Sequence, residues 1–290
     1  MGLRLKFNLV LLLVFLLGLG VTGYESYELL HKNAREEVLR NAGVMMEAAL
    51  SMRGYTVSQV RPVLQTDPEK FLPQSVPAFA ATEIMTLLRK KYPDYAYKEA
   101  ALNPTNPRDR AVEWETDLVN IFRGDTSKTE LSGVRQTPTG PSLYLARPLQ
   151  IKDAACLVCH TNAEVAPPAM VKIYGTNNGF GWQHMEVIGA QIVSVPMSLP
   201  VENANRAFYT FMTALSIVFV VLFVLLNVML SLLVVRPIRM MSKAADQIST
   251  GSTDVADLKD TGRDEVAQLA KAFNRMRRSL EKAIQLIDSK

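Results

Sequence analysis

The chain has 290 residues, 48% of them hydrophobic, with 32 Lys and Arg against 28 Asp and Glu and a net charge of +4. Two cysteines and three histidines exclude a disulfide-dense scaffold and leave no obvious members for a histidine-based triad, so an enzyme is not expected. The basic excess sits at the two ends, with Arg4 and Lys6 at one and eleven basic against eight acidic residues over 236–290 at the other, which excludes a nucleic-acid surface and points to a membrane.

Residues 1–24 carry the apolar run Leu9 to Val21 behind Arg4 and Lys6 and are read as an N-terminal transmembrane anchor. A cleaved signal peptide is the rival, because Val21 and Gly23 offer a small-residue cleavage pair. The uncut anchor is favoured: no proline occurs between Met1 and Arg61, and helical patterning continues through Tyr24 to Leu30.

Residues 25–206 have the size of one exported domain. Leu29, Ala34, Val38, Met45, Ala49 and Met52 recur near helical spacing, and Arg61-Pro62 marks the helix end. A second helix is predicted over Ala78 to Lys90, and Tyr92 to Arg110, with Pro93, Pro104 and Pro107, reads as loop. Strands are predicted over Val112 to Phe122, Ser142 to Leu149 and Val187 to Val195. Helices in front and antiparallel strands behind give an α+β domain of two layers.

Residues 207–235 form a second apolar run with only scattered Asn, Ser, Thr and Tyr, read as a transmembrane helix. Arg236, Arg239 and Lys243 come directly after it, so both termini are expected in the cytoplasm of a bacterium and the middle domain on the periplasmic or extracellular side of its inner (plasma) membrane. Over 236–290, Ile238, Met241, Ala245 and Ile248 step by 3, 4, 3, and Val266, Leu269, Phe273, Met276, Leu280, Ala283 and Ile287 alternate 3 and 4. Two such seams per chain predict an all-α coiled coil that dimerises into four helices.

Both cysteines lie in Cys156-Leu-Val-Cys159-His160. In this spacing each thiol adds to one vinyl group of a haem and the histidine becomes the proximal iron ligand, giving one covalent haem c. A surface disulfide leaves the histidine unexplained, and half a zinc site lacks further thiolates, since His31 and His184 are the only other histidines. For the sixth ligand the candidates are Met45, Met46 and Met52 on the first helix and His184 or Met185 near Trp182. Met46 is preferred, because Met45 and Met52 share the face that suits core packing. The Gly-Thr-Asn-Asn-Gly-Phe-Gly stretch at 175–181 lacks the ending of a phosphate loop and reads as a turn or pocket wall.

Taken together, Ala155 to His160, Tyr174 to Trp182, Val187 to Met197 and Arg53 to Leu64 resemble a family of c-type haem, PAS-like sensor domains first described in cyanobacteria. The resemblance implies a PAS-like exported haem domain, His160 as proximal ligand, Tyr174 and Trp182 beside the haem, and a distal ligand from the first helix. Thr161 and Met185 stand where the family pattern has glycine. Arg236-Pro-Ile through Asp264-Glu-Val-Ala to Met276 resembles a HAMP linker, with Ala267 in place of a usual glycine. The function expected from this combination is a haem sensor passing a redox or gas-ligand signal through HAMP helices to a separate signalling protein, since few residues lie beyond the second seam. The alternative is a membrane-anchored cytochrome subunit carrying electrons for a redox complex, its HAMP-like helices serving to dimerise or dock.

Overall fold

The computed structural model describes residues 2–64, 70–252 and 255–288. The chain divides into two compact units, Tyr27–Ala207 and Met1–Ser26 together with Phe208–Lys290.

In the first of these, helix α1 (Leu3–Tyr55) supplies its C-terminal part. Ala34, Val38, Ala42, Met46 and Ala49 are buried along it, a stripe spaced by four, four, four and three residues that holds one face of the helix on the core. The α pattern then widens into a π turn, Thr56–Val60, before the short α2 (Arg61–Leu64). Helix α3 (Pro77–Arg89) opens on a proline whose missing N–H costs nothing at that position, and matches the expected element.

Two expected elements change. The stretch read as loop contains strand β1 (Ala96–Ala101), which pairs antiparallel with β4 from Ala96↔Ser194 to Ala101↔Gly189. The stretch read as a strand from Val112 to Phe122 is helix α4 (Glu113–Gly124). Leu118, Val119 and Phe122 are buried together, one and four residues apart as one helix face requires. The Glu115 carboxylate accepts from the Val112 backbone N–H at 2.9 Å, satisfying a donor at the helix start.

The remaining strands are β2 (Leu131–Thr137), β3 (Gly140–Gln150) and β4 (Val187–Pro196), in the antiparallel order β1-β4-β3-β2. Leu143, Leu145, Val193, Val195 and Tyr97 face α1 and α3 with Met46, Ala81 and Met85. Ala100, Ala146, Ala190 and Ile192 face α4 with Leu118, Val119 and Phe122. The sheet is therefore covered on both faces, one layer more than the two-layer expectation. Its central strand β4 is almost wholly buried, as a strand covered on both faces must be. Between β3 and β4 lie the short helices α5 (Leu157–His160) and α6 (Pro168–Tyr174).

In the second unit, α7 (Ser198–Met229) runs into a six-residue π turn, Leu230–Val235, and continues as α8 (Arg236–Ser249), with α9 (Glu265–Asp288) after the connector. The helices Arg4–Leu64 and Ser198–Ser249 are long and apolar enough to cross a membrane, with mean hydropathies of 2.2 and 3.1 in their most apolar windows. Phe15 and Phe219 stack at 4.8 Å, and a Cβ on Gly23 would lie 3.2 Å from the Met212 methyl.

The buried stripe of α9 is Ala267, Ala270 and Asn274, and that of α8 is Met241 and Ala244. Asn274 donates to the Leu258 carbonyl at 2.8 Å and accepts from its N–H at 3.0 Å, clamping the connector onto α9. Of the residues read from sequence as seams, Met241 lies on this inner stripe. Ile238 and Ala245 are exposed rather than buried, as are Leu269, Met276 and Leu280, while the Ile287 side chain lies outside the described residues. Met241 and small residues line the contact made within the chain, while Ile238, Leu269, Met276 and Leu280 are left outward.

Candidate functional site

The CxxCH segment leaves β3 through a loop pinned at its base. Ile151 donates to the Glu186 carbonyl at 2.9 Å and accepts from the Met185 N–H at 2.8 Å. Asp153 starts the turn, its carboxylate accepting from the Ala155 N–H at 2.8 Å in the manner of an N-cap. A 3₁₀ turn, Ala154–Cys156, then runs directly into α5, so Cys156 and Cys159 lie about one turn apart, with His160 next to Cys159. Both thiols are free and half-buried. Burial pushes both upward from the ordinary thiol range, with Arg53 and Arg61 opposing at Cys156 and Arg61 opposing at Cys159.

His160 is oriented by the segment that returns past it. Its Nδ1 donates to the Gly179 carbonyl at 2.7 Å, and Thr105 Oγ1 lies 3.4 Å from the same nitrogen. The Trp182 ring stacks on the imidazole at 3.9 Å with an interplanar angle of 15°. Asn103 holds this segment at two points, accepting from the Gly179 N–H at 3.1 Å and donating to the Phe180 carbonyl at 3.1 Å. Gly179 has φ +82, and a Cβ there would collide with the Thr105 hydroxyl, so only glycine brings the carbonyl this close to the ring. Burial holds the imidazole below its ordinary pKa, the Gly179 bond opposing, and a neutral ring with Nδ1–H committed presents Nε2 as a lone-pair donor.

This donor set fits a covalently tethered haem: two free thiols and one aimed imidazole nitrogen on a single helical stretch. It does not fit a zinc site, since no cluster of three or more His, Cys, Asp or Glu side chains suited to a metal occurs among the described residues.

Of the other predicted site residues, Trp182 meets His160 directly. Tyr174, at the end of α6, packs edge-on against Phe71 at 6.1 Å. His184 is exposed, its Nε2 3.2 Å from the Lys152 carbonyl, and Met185 is 53% exposed. Met185 also has φ +66, the one non-glycine residue in that region among those described. On α1 the packing argument for Met46 is reversed. Met46 is fully buried in the core cluster, while Met45 and Met52 are only partly buried against it.

Sequence reasoning missed Asn103, Thr105 and the Gly179 carbonyl, although the glycines at 175, 179 and 181, all at positive φ, marked the segment as special. It also missed a polar network under the sheet face of α1. Arg53 pairs with Glu99 at 2.5 Å, Tyr97 donates to the same carboxylate at 2.7 Å, and Gln191 donates to the Tyr97 oxygen at 3.3 Å.

The family model described as Tll0287-like matches residues 31–196, and the HAMP domain model matches residues 229–282. The crystal structure of the cyanobacterial heme-protein Tll0287 aligns over 55% of this chain and 95% of that chain, with 16% identity and a TM-score of 0.44. No curated protein matches the chain.

Proposed function

We propose, from the premise that this chain belongs to the Tll0287-like family and carries a HAMP domain, that it is a membrane-bound c-type haem sensor signalling through a HAMP dimer to a separate partner. The observation that carries the proposal is the free Cys156, Cys159 and His160 set with Nδ1 already bonded to Gly179, which leaves two thiols and Nε2 as the reactive donors. A haem held there would supply a redox- and ligand-responsive iron. The chain's own contribution is to fix the ring plane by Trp182, the tautomer by Gly179, and the loop by Asn103.

In this reading the two apolar helices span the inner membrane with both termini cytoplasmic, as the basic residues beside them favour. The outward residues Leu269, Met276 and Leu280 are the surface a second copy covers. A sensor needs two packings of that dimer which the two haem states favour unequally.

For the sixth ligand we propose Met52 in place of Met46. The Met46 thioether fills the core, whereas Met52 is partly buried next to Arg53, which is electrostatically coupled to Cys156.

The test is the absorption spectrum of purified protein before and after acid-acetone extraction. Haem should stay with the polypeptide and be lost when Cys156→Ser and Cys159→Ser are combined; fully extractable haem in the wild type removes the proposal. The charge-transfer band of methionine-ligated ferric haem should vanish in Met52→Ala and persist in Met46→Leu and His184→Ala.

A further inference from the structure

The Gly179 carbonyl that accepts from His160 belongs to a segment with no regular structure of its own. Between α6 and β4 the chain forms neither helix nor strand, and it passes through Gly175, Gly179 and Gly181, all at positive φ. Glycines free the backbone to move as readily as they let it turn. The 2.7 Å bond from His160 Nδ1 to the Gly179 oxygen therefore needs a hold from elsewhere.

That hold comes from the loop after β1. Its base is fixed to the sheet, because Leu102 donates to the Ile188 carbonyl at 3.2 Å and Ala111 donates to the Ala101 carbonyl at 2.9 Å. From this base the Asn103 carboxamide accepts from the Gly179 N–H and donates to the Phe180 carbonyl, each at 3.1 Å. The two bonds bracket the peptide unit that carries the Gly179 oxygen and fix its direction. Thr105 backs the same glycine, since its Cα lies 2.7 Å from where a Gly179 Cβ would stand. Its Oγ1, 3.4 Å from His160 Nδ1, offers the ring N–H a second and weaker acceptor. Arg110 completes the clamp by donating to the Asn178 side chain at 2.8 Å. The Asn103 and Thr105 side chains are both uncharged, so they act on the imidazole through hydrogen bonds and packing alone.

We propose that Asn103 and Thr105 are positioning residues that set how strongly His160 donates to a haem iron, and with it the reduction potential; this rests on the haem reading above. A carbonyl held against Nδ1–H raises the basicity of Nε2. A more basic donor favours iron(III) over iron(II), so the clamp lowers the potential. Loosening it lengthens the Nδ1 bond, weakens the donor and raises the potential. A loop with a structural role alone would lose stability on the same substitutions and leave the potential where it was.

The experiment is a spectroscopic redox titration of the full chain in detergent at one pH, with dithionite as reductant and ferricyanide as oxidant. In Asn103→Leu the ratio of iron(II) to iron(III) at a fixed potential should rise about tenfold, a midpoint about 59 mV higher for one electron. Thr105→Val should move it the same way by less, and Thr105→Ser, which keeps the hydroxyl, should hold the wild-type value. Thermal melts verify folding, and Asn103→Ser repeats the measurement if Asn103→Leu does not fold. A wild-type or lowered midpoint in the folded Asn103 variant overturns the proposal for Asn103. The same result in Thr105→Val, or an equal shift in Thr105→Ser, overturns it for Thr105. Both outcomes leave the haem reading standing, whereas haem fully extractable from the wild type overturns that reading and this one together.

Discussion

A single missing side chain decides how His160 is presented. Gly179→Ala forces a Cβ against the Thr105 hydroxyl and Cα in a backbone conformation that alanine resists. The expected cost is about 3 kcal/mol, visible as a lower melting temperature together with weakened Trp182–His160 stacking in near-ultraviolet circular dichroism; an unchanged melt would contradict the clamp. At this scale the sequence offers candidates where the proposed chemistry resides in side chains at fixed spacing, as in Cys156, Cys159 and His160. It was illegible where the functional atom is a backbone carbonyl, because Gly179 carries no mark of what its oxygen does. The packing of Met46 was misread for a different reason. A 3.6-residue period identifies which methionines share a face, yet it does not say which of two adjacent faces meets the sheet.

Among elements, β1 and α4 were both misread. Pro93, Pro104 and Pro107 gave the stretch around β1 the look of a loop, yet Lys98 and Glu99 within the strand are each paired, Lys98 with Glu115 on α4 and Glu99 with Arg53 on α1. Alternating and helical patterns compete over Val112 to Phe122, and the helix prevails because Leu118, Val119 and Phe122 all reach the sheet face opposite α1. The charges on Lys98 and Glu99 join the strand to both helical layers. Glu99→Ala leaves Arg53 without its carboxylate partner and Tyr97 without its acceptor. It should destabilise the domain by about 3–5 kcal/mol, measured by denaturant unfolding. The double change Arg53→Met with Glu99→Leu should recover most of that loss; a large penalty in the double variant would show that the pair does more than satisfy itself.

For the whole molecule, the separation into a Tll0287-like region and a HAMP domain was legible because the chain changes period and charge at its apolar run. The division of labour inside the helical unit was not. Its small inner stripe of Ala267, Ala270 and Asn274 drew less notice than the large residues beside it. Those large residues set the dimer test. Single cysteines at 273 or 276 should cross-link between chains much faster than at 271 or 278, and equal rates would count against a parallel four-helix bundle. The π turn at Leu230–Val235 bears on the same measurement, because it holds one residue more than an α turn needs. Deleting one residue within it should let the turn relax to α and leave the cross-linking pattern downstream intact. Deleting one from the regular part of α7 should rotate that pattern by about 100°. The turn is thus a one-residue reserve of length, the place along this helix where relatives can differ by an insertion without losing the phase of the HAMP helices.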